Sequence, residues 1–257
     1  MMSSQSDSPA FSPAKALFIT GTDTNVGKTH VACLIARQLR SQGHCVGAYK
    51  PVCSGAVSSA NSSGPIWDDI ERLKSATDAR WADEIICPQR FLAPLAPPVA
   101  ARLEGRTVDF DRLVVGASQF PGADLLLIEG AGGWLSPLTN SQTVADLAQE
   151  IGVPILIVAR LRLGTINHTL LTIEAIRSRG LEIGGVILNE TDIDPGDLST
   201  STNADEIESR SGVPVLGIVP HGSRIELLRH GSPVTMDWCA MATLPRAWQG
   251  NDRWEIR

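Results

Sequence analysis

The stretch Thr20-Gly21-Thr22-Asp23-Thr24-Asn25-Val26-Gly27-Lys28-Thr29 decides how this chain folds. It follows an apolar run, Ala16 to Thr20 (ALFIT), and leads straight into an amphipathic stretch, Lys28 to Ser41. Glycines let the backbone approach an anion closely, and amides at the start of a helix point at it. Between a strand and a helix, the G-K-T ending reads as a phosphate-binding loop. Lys28 would reach the terminal phosphates of a nucleoside triphosphate, and the Thr29 hydroxyl would hold Mg²⁺. Five residues separate Gly21 from Gly27, one more than in the usual Walker pattern. A glycine-rich turn without a ligand is the plainer alternative. A dinucleotide site fits less well, because no G-x-G-x-x-G follows the strand.

Outward from this loop, short apolar runs alternate with amphipathic stretches. Strands are expected at Ala16 to Thr20, Cys45 to Tyr49, Asp124 to Ile128, Pro154 to Val158, Ile183 to Leu188 and Val215 to Val219. Their unbroken hydrophobicity suits strands covered on both faces, as in a parallel sheet. Helices are expected at Lys28 to Ser41, Asp69 to Ala76, Asp109 to Gln119, Thr143 to Ile151, Gly164 to Arg179 and Asn203 to Ser211. The alternation implies an α/β fold, a doubly wound, mostly parallel sheet of the P-loop NTPase type with right-handed crossovers. Ser54 to Pro65, rich in Gly, Ser and Ala, the Pro-rich Pro88 to Pro98, and Thr191 to Thr202 read as excursions or loops. The chain thus divides into a disordered tail over 1–14, one P-loop domain over 15–235 and a C-terminal tail over 236–257 without clear periodicity.

Hydrophobic residues make up 43% of the 257 and charged residues 19%, enough apolar material for one large core. The net charge of −6 argues against a nucleic-acid partner, which normally leaves a basic footprint. No apolar run is long enough to span a bilayer. The N-terminal MMSSQSDSPAFSPAK lacks the basic start and apolar stretch of a signal peptide. Five scattered cysteines (Cys33, Cys45, Cys53, Cys87 and Cys239), never in a C-x-x-C pair, suit reduced thiols in a cytoplasmic protein.

Two further strand ends carry chemistry. Tyr49-Lys50-Pro51-Val52-Cys53-Ser54-Gly55 places a lysine at the carboxyl end of a strand, the edge where open α/β sheets bind ligands. Taken alone, a lysine such as Lys50 is more often a solvated surface residue. Ile128-Glu129-Gly130-Ala131-Gly132-Gly133-Trp134 ends an apolar strand in an acid, as a Mg²⁺ contact beside a P-loop requires, although an exposed or capping Glu is the alternative.

Taken together, GTDTNVGKT, YKPVCSG, IEGAGGWLSPL and LRLGTINHTLLT (Leu161 to Thr172) resemble, in order, four segments of the dethiobiotin synthase family, and the resemblance runs from about Ala16 to Glu226. It implies an ATP-dependent enzyme that carboxylates 7,8-diaminononanoate with CO₂ or bicarbonate. It further implies phosphorylation of the carbamate and closure of a ureido ring, in a homodimer with Mg²⁺ as cofactor. Carried over, Lys28 and Lys50 would be catalytic, Thr24 and Ser54 would meet the substrate, and Thr29, Asp69 and Glu129 would hold the metal. Asn25, Val26, Gly27, Lys28, Thr29, His30, Asp69, Glu129, Gly130, Ala131 and Gly132 would line the nucleotide phosphates. Asn189 would read the adenine, with Glu190, Pro220, His221, Gly222 and Glu226 around the base. Asp68 competes with Asp69 for the metal, and Asn25 stands where several family members carry Glu. His168 is open between a catalytic base and a packed or capping residue.

Two other readings compete. Dimeric P-loop ATPases that partition DNA or position division sites share the expected fold, but they resemble one another through a second lysine early in the P-loop. Thr22 to Val26 contain none. An amidotransferase-type synthetase of cobalamin biosynthesis would need a glutaminase domain, for which no length remains.

Overall fold

The structure, a computed structural model, describes residues 15–57, 64–194 and 196–243. The expected disordered tail over 1–14 and the end of the C-terminal tail, 244–257, lie outside the described residues, as do 58–63 of the Gly/Ser-rich loop. In chain order the strands are β1 (Ala16–Gly21), β2 (Val46–Tyr49), β3 (Val52–Ser54), β4 (Gln89–Phe91), β5 (Leu125–Glu129), β6 (Ile155–Arg160), β7 (Ile183–Asn189), β8 (Val215–Val219), β9 (Leu228–Arg229) and β10 (Ser232–Pro233). The helices are α1 (Lys28–Ser41), α2 (Asp68–Ala76), α3 (Asp83–Ile86), α4 (Pro97–Leu103), α5 (Phe110–Gly116), α6 (Val144–Ile151), α7 (Thr165–Arg177), α8 (Asn203–Ser211) and α9 (Trp238–Met241). No helix among the described residues is long and apolar enough to cross a membrane.

The main sheet runs β10-β9-β8-β7-β6-β1-β5-β2. From β2 to β8 every pairing is parallel, and β9 and β10 close one edge as an antiparallel hairpin. This is the doubly wound α/β architecture expected. β1 and β5 are buried along their whole length, which explains why the sequence shows continuous rather than alternating hydrophobicity. The chain runs from β1 through α1 to β2 on one side, and from β5 through α6 to β6 on the other, so a crevice opens at the carboxyl ends of these strands. The register then sets the site: Tyr49 pairs with Ile128, so Lys50 and Glu129, one residue on in each strand, emerge side by side.

The segments read as excursions hold structure too short to leave a period. β3 and β4 form a separate two-stranded parallel sheet, and α4 follows directly. The connection is pinned to the core by Trp81, whose Nε1 donates to Val46 O at 3.0 Å. Its ring packs edge-on against Phe120, with centroids 5.0 Å apart, and Phe120 packs likewise on Tyr49. The buried Tyr49 hydroxyl donates to Leu113 O at 2.7 Å. Within Thr191 to Thr202, a single 3-10 turn over Leu198–Ser201 is capped by the Asp197 carboxylate.

The boundary expected at 235 falls inside a packed segment. Met236, Trp238, Met241 and Ala242 belong to the core, and Trp238 is 1% exposed. Its indole Nε1 donates to Gln38 Oε1 on α1 at 2.8 Å, while Met241 packs so tightly on β7 that a Cβ at Gly184 would stand 2.8 Å from its Cγ. Replacing Trp238 by Ala should therefore cost about 3–5 kcal/mol, the usual range for deleting a buried aromatic. Trp238→Phe should cost less than Trp238→Ala, since much of the apolar fill remains. Urea unfolding of the two variants checks this, and an unchanged midpoint for Trp238→Ala would show the segment to be peripheral.

Candidate active site

The P-loop is shaped by two residues in the left-handed region. Asn25 (φ 59°), a residue type that tolerates this conformation, turns the chain, and Gly27 (φ 96°) caps α1. At Gly27 a side chain is excluded twice, by φ and by space, since a Cβ would stand 2.0 Å from Asn189 Nδ2. That amide donates to Val26 O at 3.0 Å, and Arg160 Nη2 donates to Asn25 O at 3.2 Å. The ends of β6 and β7 thus hold two carbonyls of the loop. Lys28 arches back over the loop and donates from Nζ to Asp23 O at 3.1 Å.

Four side chains from four segments meet at the mouth of the loop. The Lys50 ammonium, 5% exposed, contacts Glu129 Oε1 and lies 2.9 Å from Asp69 Oδ2. The Thr29 hydroxyl is 2.8 Å from Asp69 Oδ1 and 2.7 Å from Glu129 Oε1, and with one proton it donates to one of them at a time. Glu129 is 1% exposed, and its Oε2 has no hydrogen-bond partner. Of the two neighbouring aspartates, Asp69 enters this cluster. Asp68 is exposed and lies 3.8 Å from Arg72.

The two lysines are shifted in opposite directions. Burial and the positive charge of Lys50 push Lys28 down to about 8, against the pull of Glu129, Asp69 and Asp23. Burial also acts to lower Lys50, but the carboxylates of Glu129 and Asp69 outweigh it and raise its pKa, so it stays an ammonium. Burial acts to raise Asp69, yet the charge of Lys50 and hydrogen bonds from Lys50 and Thr29 hold it below the usual range. The neighbouring Cys53 thiol is pushed up to about 12, chiefly by burial, which makes it a poor nucleophile. His30 is lowered by burial and by Arg72.

A cavity of about 350 Å³ brings together most of the residues expected from the sequence. Thr24, Asn25, Gly27, Lys28, Thr29, His30, Lys50, Ser54, Asp69, Glu129, Ala131 and Gly132 all line it. Ser54 is turned partly away, its hydroxyl donating to Leu95 O at 2.6 Å. Val26 and Gly130 belong to the framework behind it, Gly130 N donating to Ile19 O at 3.0 Å. Asn189, Glu190, Pro220, His221, Gly222 and Glu226 do not line it. Their segments are tied together, His221 N donating to Glu190 Oε2 at 2.9 Å, and the loop they form runs along α1, where Gln38 Nε2 donates to Ile225 O at 2.7 Å. His168 is exposed and faces a second cavity of about 380 Å³ across the P-loop, with Thr22, Asp23, Trp134, Leu135 and Leu171. Three cavity residues were not anticipated: Val52 and Cys53, which follow from the position of Lys50, and Arg72, which no motif marks.

A family model described as an AAA domain matches residues 15–226. Over 207 residues the chain is 46% identical to an ATP-dependent dethiobiotin synthetase BioD of Anaeromyxobacter dehalogenans, covering 80% of this chain and 90% of that one. A protein of the same name from Bacillus licheniformis is 41% identical, with 80% and 86% covered. The chain belongs to the dethiobiotin synthetase family. It is accordingly an enzyme, and the reading as a partitioning or division switch is not needed. Among solved structures, the septum site-determining protein MinD complexed with Mg-ADP from Pyrococcus horikoshii is 17% identical, with a TM-score of 0.48 over 80% of this chain and 81% of that one. The family match spans all four segments on which the resemblance rested, and three of them, the P-loop, YKPVCSG and IEGAGGWLSPL, meet at the Lys50 cluster.

Proposed function

We propose that this chain uses ATP and CO₂ to convert 7,8-diaminononanoate to dethiobiotin, ADP and phosphate. One substrate amine adds to CO₂ and gives a carbamate. A carbamate oxygen attacks the γ-phosphorus, the bond to ADP breaks, and a carbamic–phosphoric anhydride forms. The second amine attacks the anhydride carbonyl and expels phosphate, closing the ring. The attacking groups all belong to the substrates, so the protein has to position them and balance charge rather than supply a nucleophile.

The observation that carries this reading is the cluster of Lys50, Asp69, Glu129 and Thr29 beside the P-loop. Thr29, Asp69 and Glu129 would hold Mg²⁺. Three oxygen-bearing side chains converge there, and the buried, unpartnered Glu129 Oε2 is the hard anionic donor such an ion prefers. When bound, the ion would neutralise charge on the phosphate oxygens. With Asp69 and Glu129 engaged by such an ion, the Lys50 ammonium would face the carbamate and the transferred phosphoryl group. Its ammonium would then act as a donor to developing anionic charge. Lys28 would cover the β- and γ-phosphates, and Thr24 and Ser54 the reacting end of the substrate. Asn189 and the loop from Pro220 to Glu226, lying along α1, would surround the base.

We also infer a cytoplasmic homodimer. The free cysteines suit a reducing compartment. Leu135 and Leu171, 62% and 61% exposed, border the second cavity and offer an apolar face to another copy. Sedimentation of the purified chain checks the dimer, and a monomer at micromolar concentration contradicts it.

Lys50→Gln tests the catalytic role. Loss of one preorganised donor to developing charge typically costs about 10²-fold or more in turnover. Diamine-dependent phosphate release should fall by that order, while ATP binding, held mainly by the P-loop, should change far less. Full diamine-dependent release in this variant would contradict the assignment.

A further inference from the structure

The wall of the phosphate cavity opposite the P-loop carries a cation that none of the sequence motifs includes. Arg72 stands three residues after Asp69 on α2, so the two side chains share one face of the helix, and both line the cavity. Its Nη2 lies 3.4 Å from His30 Nδ1. A guanidinium carries only donors, so the ring nitrogen is the acceptor in this contact. The other Arg72 partner is Asp68, at 3.8 Å and with the arginine side chain 41% exposed. An exposed i,i+4 pair of this kind binds weakly and leaves most of the donor fork available.

The position of His30 says which part of a nucleotide the fork would meet. His30 follows Lys28 and Thr29 in the first turn of α1, one step beyond the residues at the terminal phosphates. The reacting γ-phosphoryl group must lie toward Lys50 and Ser54. The base must lie toward the loop that ends at Glu226, which is held against α1 further along by Arg37 and Gln38. Arg72 and His30 fall between these ends. The charges point the same way. Asp69 and Glu129 are already matched to Lys50, whereas among the described residues the Arg72 guanidinium makes no ion pair with a carboxylate that lines the cavity.

We propose that Arg72, oriented by His30, donates to the α-phosphate of the bound nucleotide. Arg72 is then a binding determinant and His30 a positioning residue. This rests on the cavity being the nucleotide site. A hydrogen bond between charged groups in such a site is worth a ten-fold or greater change in affinity. Titration calorimetry with ADP and with ATP should show Arg72→Met binding both about ten-fold more weakly, and by the same factor, because both nucleotides carry the α-phosphate. His30→Leu should weaken both in the same sense, and His30→Asn, whose side chain keeps an acceptor near the Nδ1 position, should restore much of the loss. Unchanged affinities in Arg72→Met, a loss confined to ATP, or a His30→Asn as weak as His30→Leu would overturn the proposal. Failure of the unmutated chain to bind ADP would instead contradict the nucleotide site itself.

Discussion

The buried ammonium of Lys50 sits against two carboxylates, Asp69 and Glu129, that share a threonine hydroxyl between them. These groups come from the residue after β2, from α2, β5 and α1, so one cluster ties together the elements around the crevice. A charge buried this deeply is tolerable only when paired, and deleting one partner of such a cluster typically costs about 3–5 kcal/mol. The sheet makes the pairing unavoidable. Strand order β1-β5-β2 and the pairing of Tyr49 with Ile128 bring Lys50 and Glu129 to adjacent strand ends, and no flexible loop has to find the contact.

The same cluster gives the two lysines different work. Lys28 lies near Lys50 and donates to a backbone carbonyl, and its ammonium is destabilised to a pKa of about 8. An incoming polyphosphate supplies the anion this lysine lacks. Lys50 already has its anions, Glu129 and Asp69.

Much of this was legible in the sequence because it is written at strand ends. The P-loop, Lys50 and Glu129 each follow an apolar run, and a parallel sheet delivers such residues to one edge. The choice between Asp68 and Asp69 was not legible, since both start one helix and only its rotation against α1 turns Asp69 inward. Arg72 was invisible for the same reason: its significance lies in facing His30 across two helices. β3 and β4, three residues each, are too short to carry a period, and α9 consists of one turn whose burial depends on Gln38 and Gly184 far back in the chain. Asn189 illustrates a different limit. Sequence resemblance marks it for the base, while its amide here holds the P-loop carbonyl of Val26, a contact that only the strand order brings about.

The proposed reaction depends on a carbamate oxygen attacking the γ-phosphorus at this cluster. Following ¹⁸O from doubly labelled CO₂ tests that step most directly, in a single turnover with the diamine and ATP. One labelled oxygen should appear in the released inorganic phosphate and the other in the ureido carbonyl of the product. Phosphate released in step with ring closure but free of label would contradict it, because the phosphoryl group would then have gone to an acceptor other than the carbamate.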